Sequence, residues 1–200
     1  MKTYRKFVRE AKGKGVVFAF GRMNPPTVGH AKLITKVLSV AKKELSAPMV
    51  FPSKTEDKKK NPLSFKTKVK VLKDVFGDVI NTDTSIKTPF DVLASLDKAK
   101  YEKVVFVVGS DRVDEFKRNM TKYVDKDLDN IKDFSVVSAG DRDPDAEGVS
   151  GMSGSKMREF VVKDRFGKFK EGLMTKNTPL AKLVFKEIGK KLNIKKENKQ

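Results

Sequence analysis

The chain contains no cysteine. A disulfide framework is thereby excluded, and a reducing compartment is the expected setting. It contains a single histidine, His30, so no metal site can be built on a pair of imidazoles. Any metal must sit on carboxylates and on the phosphates of a substrate. No apolar run is long enough to span a bilayer as a helix, and no membrane partner is expected. Met1–Glu10 lacks the apolar stretch of a secretory signal. Internal repeats are missing, and low complexity is confined to the Lys-rich ends.

What the sequence has in excess is positive charge. Lys and Arg number 44 against 26 Asp and Glu, a net +18 over 200 residues. Such an imbalance favours polyanions, whether nucleic acid, an anionic membrane or a phosphorylated substrate, with solubility as its plainer explanation. The length suits one domain with an appendage.

The chain is organised around Gly21-Arg22-Met23-Asn24-Pro25-Pro26-Thr27-Val28-Gly29-His30. An apolar run, Val16 to Phe20, precedes it and reads as a buried strand. Leu33, Ile34, Val37 and Leu38 follow at helical spacing. Thr27 is then a helix cap, and Val28, Gly29 and His30 form the first turn. A strand feeding a turn that opens a helix is a site for phosphate, because unpaired N–H groups and the positive helix end point outward. Gly29 admits a close ligand, and His30 sets an imidazole beside it. The plain alternative is an ordinary strand-to-helix turn with a surface histidine.

Further along, Pro48 to Pro52 reads as a second strand and residues 53–62 as a polar loop carrying Lys54, Lys58, Lys59, Lys60 and Asn61. Leu63 to Phe76 is helical, with Phe65, Val69, Leu72 and Phe76 along one face. A third strand is expected at Asp78–Thr82, a helix from Thr88 to Ala99, and a central strand at Val104–Val108 ending in Gly109-Ser110-Asp111-Arg112. A helix through Met120 and a fifth strand near Phe134–Val137 complete the alternation. Regular strand–helix alternation predicts a parallel sheet covered on both faces. Beyond Lys163 the chain is strongly basic, and Leu180, Leu183, Val184, Ile188 and Leu192 predict an amphipathic helix. The expected organisation is a leader and linker at 1–15, a core domain at 16–165 and a basic helical extension at 166–200.

The Gly21–His30 stretch resembles the nucleotidylyltransferase superfamily, whose signature loop ends in (His/Thr)-x-Gly-His. Thr27-Val28-Gly29-His30 is similar to the Thr form found in phosphopantetheine adenylyltransferases, and Gly21-Arg22 with Pro25 resembles archaeal nicotinamide-nucleotide adenylyltransferases. Met23 replaces the usual aromatic. A second stretch, Met152-Ser153-Gly154-Ser155-Lys156-Met157-Arg158, resembles the family's Ile-Ser-Ser-Thr-Lys-Ile-Arg, with Gly154 for Ser and Ser155 for Thr. On its own chemistry it is a capped helix start bearing two cations suited to a triphosphate. The resemblance covers roughly residues 16–165. It implies a Rossmann-like five-stranded sheet of order 3-2-1-4-5 with helices on both faces, and a crevice where the Gly21–His30 and Gly109–Arg112 loops meet.

The resemblance further implies transfer of a nucleoside monophosphate from a triphosphate to a phosphorylated small-molecule acceptor, with pyrophosphate released. ATP is favoured over CTP, with Mg2+ as its companion. Thr27 and His30 would act on the reacting phosphate. Gly21, Arg22, Met23, Asn24, Gly29, Gly109, Asp111, Ser153, Ser155, Lys156 and Arg158 would hold the nucleotide, and Lys60, Asn61 and Arg142 the acceptor. No residue is assigned as a metal ligand. Asp111 has a second reading as the cap of the following helix. The acidic island Asp141–Glu147 reads as a solvated loop or as a help to Mg2+.

Met1-Lys2-Thr3-Tyr4 with Val8-Arg9-Glu10 resembles the capsid-targeting leader of T-even-type phage internal proteins, cut after Glu10. That places the protein in an infected host cytoplasm or a capsid interior. It also opens an alternative function, a non-catalytic DNA-associated virion protein, whose DNA contact would be non-specific. A nucleotide-binding regulator without turnover is a third reading. The sequence leaves the oligomeric state open.

Overall fold

The structure, a computed structural model, describes residues 15–140 and 152–193. The leader, the acidic island with Arg142, and the Lys-rich tail from residue 194 lie outside the described residues. The described chain divides into two compact units. The first holds residues 15–21, 32–53 and 79–140; the second holds 22–31, 54–78 and 152–193.

The first unit is built on a parallel sheet of four strands: β1 (Gly15–Gly21), β2 (Ala47–Pro52), β3 (Lys103–Val108) and β4 (Asp133–Ser138). Their order is β2-β1-β3-β4, with all neighbours parallel. Phe18 lies level with Met49 on one side and Phe106 on the other. The Phe18 and Phe106 rings stack at 4.4 Å, and Phe106 meets Phe116 edge-on at 5.2 Å. Phe116 belongs to helix α4 (Val113–Asp127), which packs here with helix α3 (Pro89–Lys98) through Val92, Leu93, Leu96, Met120 and Val124. Burying each such large side chain contributes roughly 1.5–3 kcal/mol. The opposite pleat, Val17, Ala19, Val105 and Val107, is also buried, as a parallel sheet requires. Helix α3 starts at a reciprocal cap, with Thr88 and Asp91 each accepting the other's backbone N–H. Asp97, near its end, accepts from the N–H groups of Asn130 and Ile131 and so fixes the entry to β4.

Among the described residues four strands replace the five expected. The segment anticipated as a third strand forms a 3-10 turn at Gly77–Val79 and then a single parallel bridge, Val50 to Ile80. The Val50 carbonyl accepts the Asn81 N–H, and there pairing stops. Asn81 Oδ1 takes the Asp83 N–H, and Asp83 Oδ1 takes that of Ser85, so two successive side-chain turns lead the chain off the sheet. The order of the remaining strands is the expected one. Val50 turns its polar groups away from β1, and the alternate positions Pro48 and Pro52 share that direction, so neither proline costs β1 a hydrogen bond.

Helix α1 (Val28–Lys43) runs out of the Thr27–His30 turn, and Ile34, Val37 and Ala41 are its buried positions. The second unit contains helices α2 (Phe65–Phe76), α5 (Gly154–Val162), α6 (Phe166–Gly172) and α7 (Thr178–Lys191). Ser64, Ser153 and Asn177 cap α2, α5 and α7 through their side-chain oxygens, each worth about 1 kcal/mol. The basic region expected as an extension is, over residues 166–193, packed into this unit. Phe169 and Phe185 meet edge-on, Thr27 bridges to Leu173, and Met174 N–H reaches the Pro26 carbonyl. Thr175 donates to Asp74, tying this region to α2. The buried stripe of α2 is Thr67, Lys68, Val71 and Leu72; of the expected positions Leu72 is buried, while Phe65, Val69 and Phe76 are only half-buried.

Candidate active site

His30 is the third residue of α1, and its side chain turns back to the residue before the helix. The Thr27 N–H donates to His30 Nδ1 at 3.0 Å, and Thr27 Oγ1 stands 2.8 Å from the same nitrogen. An N–H can only donate, so Nδ1 is the bare nitrogen and the ring proton resides on Nε2. The Thr27 hydroxyl donates as well. The arrangement is one half of a capping box, with imidazole in the place of the usual carboxylate: the His30 N–H goes to the Thr27 carbonyl rather than to the hydroxyl, and the two bonds at Nδ1 fix both ring orientation and tautomer. Gly29, between them, would bring a Cβ no closer than 3.5 Å to Thr27 Oγ1 and 3.6 Å to the Met152 carbonyl.

The loop before Thr27 is held by Asn24. Its side-chain amide donates to the Leu63 carbonyl at 2.9 Å, and its Oδ1 accepts the Leu63 N–H at 3.0 Å, both bonds buried. Met23 beside it is buried with φ at 44°, and the Asn24–Pro25 peptide is cis. The Asn24 carbonyl accepts from Arg158 Nη1 at 2.9 Å, and Arg158 Nη2 donates to Ser155 Oγ at 3.1 Å. Gly154 makes this approach possible, since a Cβ there would lie 2.9 Å from the Asn24 oxygen and 3.2 Å from Nη1. The departure of Gly154 from the family's Ser thus has a steric reason.

Burial lowers the proton affinity of Arg158 most; the Asp57 carboxylate counteracts this and the Arg22 guanidinium adds to it. The Arg22 charge thus acts on Arg158 in the same sense as burial. Asp57 is organised by its own loop. It accepts from the N–H of Lys60 and Lys59 and from the Asn61 amide, and these bonds, Lys60's foremost, bring its carboxyl down to about 2. It is ionised throughout the physiological range.

Of the expected residues, the second unit thus joins Thr27 to His30, Asn24 and Ser155 to Arg158, and Arg22 to Arg158 by charge. Ser153 caps α5 by accepting the Lys156 N–H at 3.2 Å. Asn61 and the backbone of Lys60 serve Asp57. Gly21 ends β1, with its carbonyl accepting the Ser53 N–H at 2.8 Å. Gly109 and Asp111 belong to the first unit, after β3, the neighbour of β1. Asp111 does not cap the next helix: Arg112 stands at the N-cap of α4 without a side-chain bond, while Asp111 Oδ1 lies over Gly109. Among the described residues no group of three or more His, Asp or Glu side chains could hold a metal ion.

Two roles were missing from the sequence reading: that of Gly154, named there only as a motif substitution, and that of Asp57. Apart from the site, Lys68 is fully buried in α2, where burial lowers its pKa from 10.5 to about 8 against the opposing pull of Glu56.

Solved structures supply counterparts whose low identity speaks to the fold alone. A Vibrio parahaemolyticus protein assigned as a nicotinate-nucleotide adenylyltransferase aligns with a TM-score of 0.55 at 14% identity, over 85% of this chain and 97% of that one. Plasmodium falciparum nicotinic acid mononucleotide adenylyltransferase aligns with 0.56, at 12% identity in its complex with NaAD and 13% in its complex with APC. Both alignments cover 92% of this chain and 99% of the other. No curated protein matches in sequence. A sequence profile of the cytidylyltransferase-like family matches residues 18–160, a range that takes in the Thr27–His30 turn and the Ser153–Arg158 helix start. With most of its length inside that match and both motifs in place, the chain belongs to the cytidylyltransferase-like family.

Proposed function

We propose that the protein is a nucleotidylyltransferase that moves a nucleoside monophosphate, AMP in preference to CMP, onto a phosphorylated small molecule. An acceptor phosphate oxygen attacks the α-phosphorus of the triphosphate, a new P–O bond forms, and the bond to the β-phosphate oxygen breaks to release pyrophosphate. No protein nucleophile is required; positioning and charge neutralisation carry the rate. The observation that carries the reading is the joint fixing, on one short loop, of the His30 tautomer by Thr27 and of the Arg158 guanidinium by the Asn24 carbonyl.

In this reading Nε2–H of His30 donates to a non-bridging oxygen of the reacting phosphate, where charge develops. Arg158, with Arg22 beside it, takes the β- and γ-phosphates, and Ser153, Ser155 and Lys156 border them. Gly29 leaves room for the phosphate. Gly109 and Asp111 are assigned to the nucleoside, and Lys60 and Arg142 to the acceptor. Mg2+ would enter on the triphosphate's own oxygens and neutralise part of their charge, since Asp57, whose carboxylate acts on Arg158, is engaged by Lys59, Lys60 and Asn61.

The solved counterpart from Plasmodium falciparum, with its NaAD and APC complexes, puts nicotinic acid mononucleotide first among acceptors to try. Purified protein incubated with ATP or CTP and a panel of phosphorylated acceptors should release pyrophosphate with at least one pair, faster with ATP. No release with any pair would remove the proposal. The leader-like Met1–Glu10 supports delivery in a phage particle, to be checked by N-terminal sequencing of protein recovered from particles: a chain beginning at Ala11 is expected.

A further inference from the structure

The positive charge of the described chain is not spread evenly. In the first unit 14 Lys and Arg face 12 Asp and Glu, whereas in the second 20 face 8. The phosphate site described above accounts for only a few of those cations. Helix α7 concentrates several others on its surface. Its buried positions are Ala181, Val184 and Ile188, and on the opposite side Lys182, Lys186 and Lys190 are exposed at every fourth residue. That spacing aligns them in one row, about 6 Å apart along the axis.

The one acidic residue of α7, Glu187, does not neutralise the row. Its Oε1 accepts the Ser64 N–H at 2.7 Å and its Oε2 the Thr67 hydroxyl at 2.6 Å, both at the start of α2. Burial raises the Glu187 carboxyl, but the bonds from Ser64 and Thr67 outweigh it and keep the group below its ordinary range. Glu187 is thus ionised and turned inward, and the outer face of α7 carries no acidic side chain.

We infer that the outer face of α7 is a sequence-independent binding surface for the phosphodiester backbone of nucleic acid, separate from the nucleotidyl-transfer site proposed above. The row matches a linear polyanion, and it has no polar side chain arranged to read bases. A membrane surface fits less well, because a helix lying on lipid needs a bulky apolar face. Here Ala181, Val184 and Ile188 are turned inward, and Leu183 is the one large apolar side chain of α7 exposed.

The test uses the full chain and labelled random-sequence oligonucleotides, single- and double-stranded, read by fluorescence anisotropy at increasing salt. Wild type is compared with a Lys182→Gln, Lys186→Gln, Lys190→Gln variant and with a control of equal charge loss in the first unit, Lys36→Gln, Lys42→Gln, Lys43→Gln. Unchanged melting temperatures establish that both variants fold. The α7 variant should bind at least about tenfold more weakly near 100 mM salt and lose about 2 to 3 units of log–log salt slope, while the control changes little. Equal losses in both variants, no binding by wild type, or tighter binding to phosphatidylserine vesicles or polyglutamate than to the oligonucleotides would overturn the inference. Pyrophosphate release, measured on the same α7 variant, should be unaffected, which keeps this outcome distinct from failure of the transferase reading.

Discussion

The Asn24 carbonyl and the Arg158 guanidinium, 134 residues apart in sequence, meet at 2.9 Å. Asn24 is itself pinned by two bonds to the Leu63 backbone, so Arg158 leans on a support that does not yield. The cation is aimed before any phosphate arrives, which is the condition under which a charge lowers a barrier without reorganising.

That aim depends on Gly154. Replacing it by Ala places a methyl group against the Asn24 oxygen and Nη1, and one of them must move. Gly154→Ala should weaken triphosphate binding by about tenfold, roughly 1.4 kcal/mol, while acceptor binding changes less. Gly167→Ala is the control, since nothing lies within 4 Å of the Cβ it would gain. Calorimetric titration of each ligand separately decides the matter.

His30→Ala should lower turnover by about a hundredfold or more, in line with roughly 3 kcal/mol for a lost transition-state donor. The Thr27 N–H loses its acceptor too, which costs about 1 kcal/mol of stability and leaves the protein folded. Steady-state kinetics beside a thermal melt separates the two effects; full turnover in a folded variant would remove His30 from the chemistry.

Gly29 supplies a sharper discrimination. Its Cβ would make only ordinary contacts, and Ala favours a helix by roughly 1 kcal/mol over Gly. Gly29→Ala should therefore melt no lower than wild type, yet lose at least about tenfold in kcat/KM, because the added methyl occupies the ligand's approach. A variant that is stable and fully active would show that the glycine has no such role.

Lys68 predicts a pH dependence. Its folded pKa, about 8, lies below the ordinary 10.5, so between those values the unfolded chain binds more protons than the folded one. Stability then rises with pH across that window, by up to roughly 3 kcal/mol at about 1.36 kcal/mol per unit. Urea unfolding between pH 7 and 10.5 should show the rise in wild type, and Lys68→Met should flatten it.

The central strands and the Thr27–His30 turn could be read in the sequence because their signals are local: an unbroken apolar run, then a Pro- and Gly-containing turn, then helical spacing. Lys68 could not, since a lysine at any position is read as facing water, and its place on the stripe of Thr67, Val71 and Leu72 is decided by tertiary packing. Asp57 was hidden in the same way by the three lysines that follow it, although Asp followed by polar residues is the ordinary signature of a side-chain turn. The Arg158–Asn24 contact has no local signal whatever. Only the resemblance of two distant motifs pointed to it. The third strand failed for a local reason, for Asn81 and Asp83 compete with the sheet for the same backbone donors.

That last feature bears on how the protein can change over time. Because Ile80 makes one bridge and Pro48 and Pro52 offer no donors toward it, the segment leading to α3 is not locked to the sheet's register. A residue inserted between Asp83 and Ser85 would lengthen a loop and turn no side chain over, whereas the same insertion in β3 would send Phe106 and its neighbours to the opposite face. This boundary of the sheet is where length variation among descendants of the chain can accumulate without disturbing Phe18, Phe106 or the turn that follows β1.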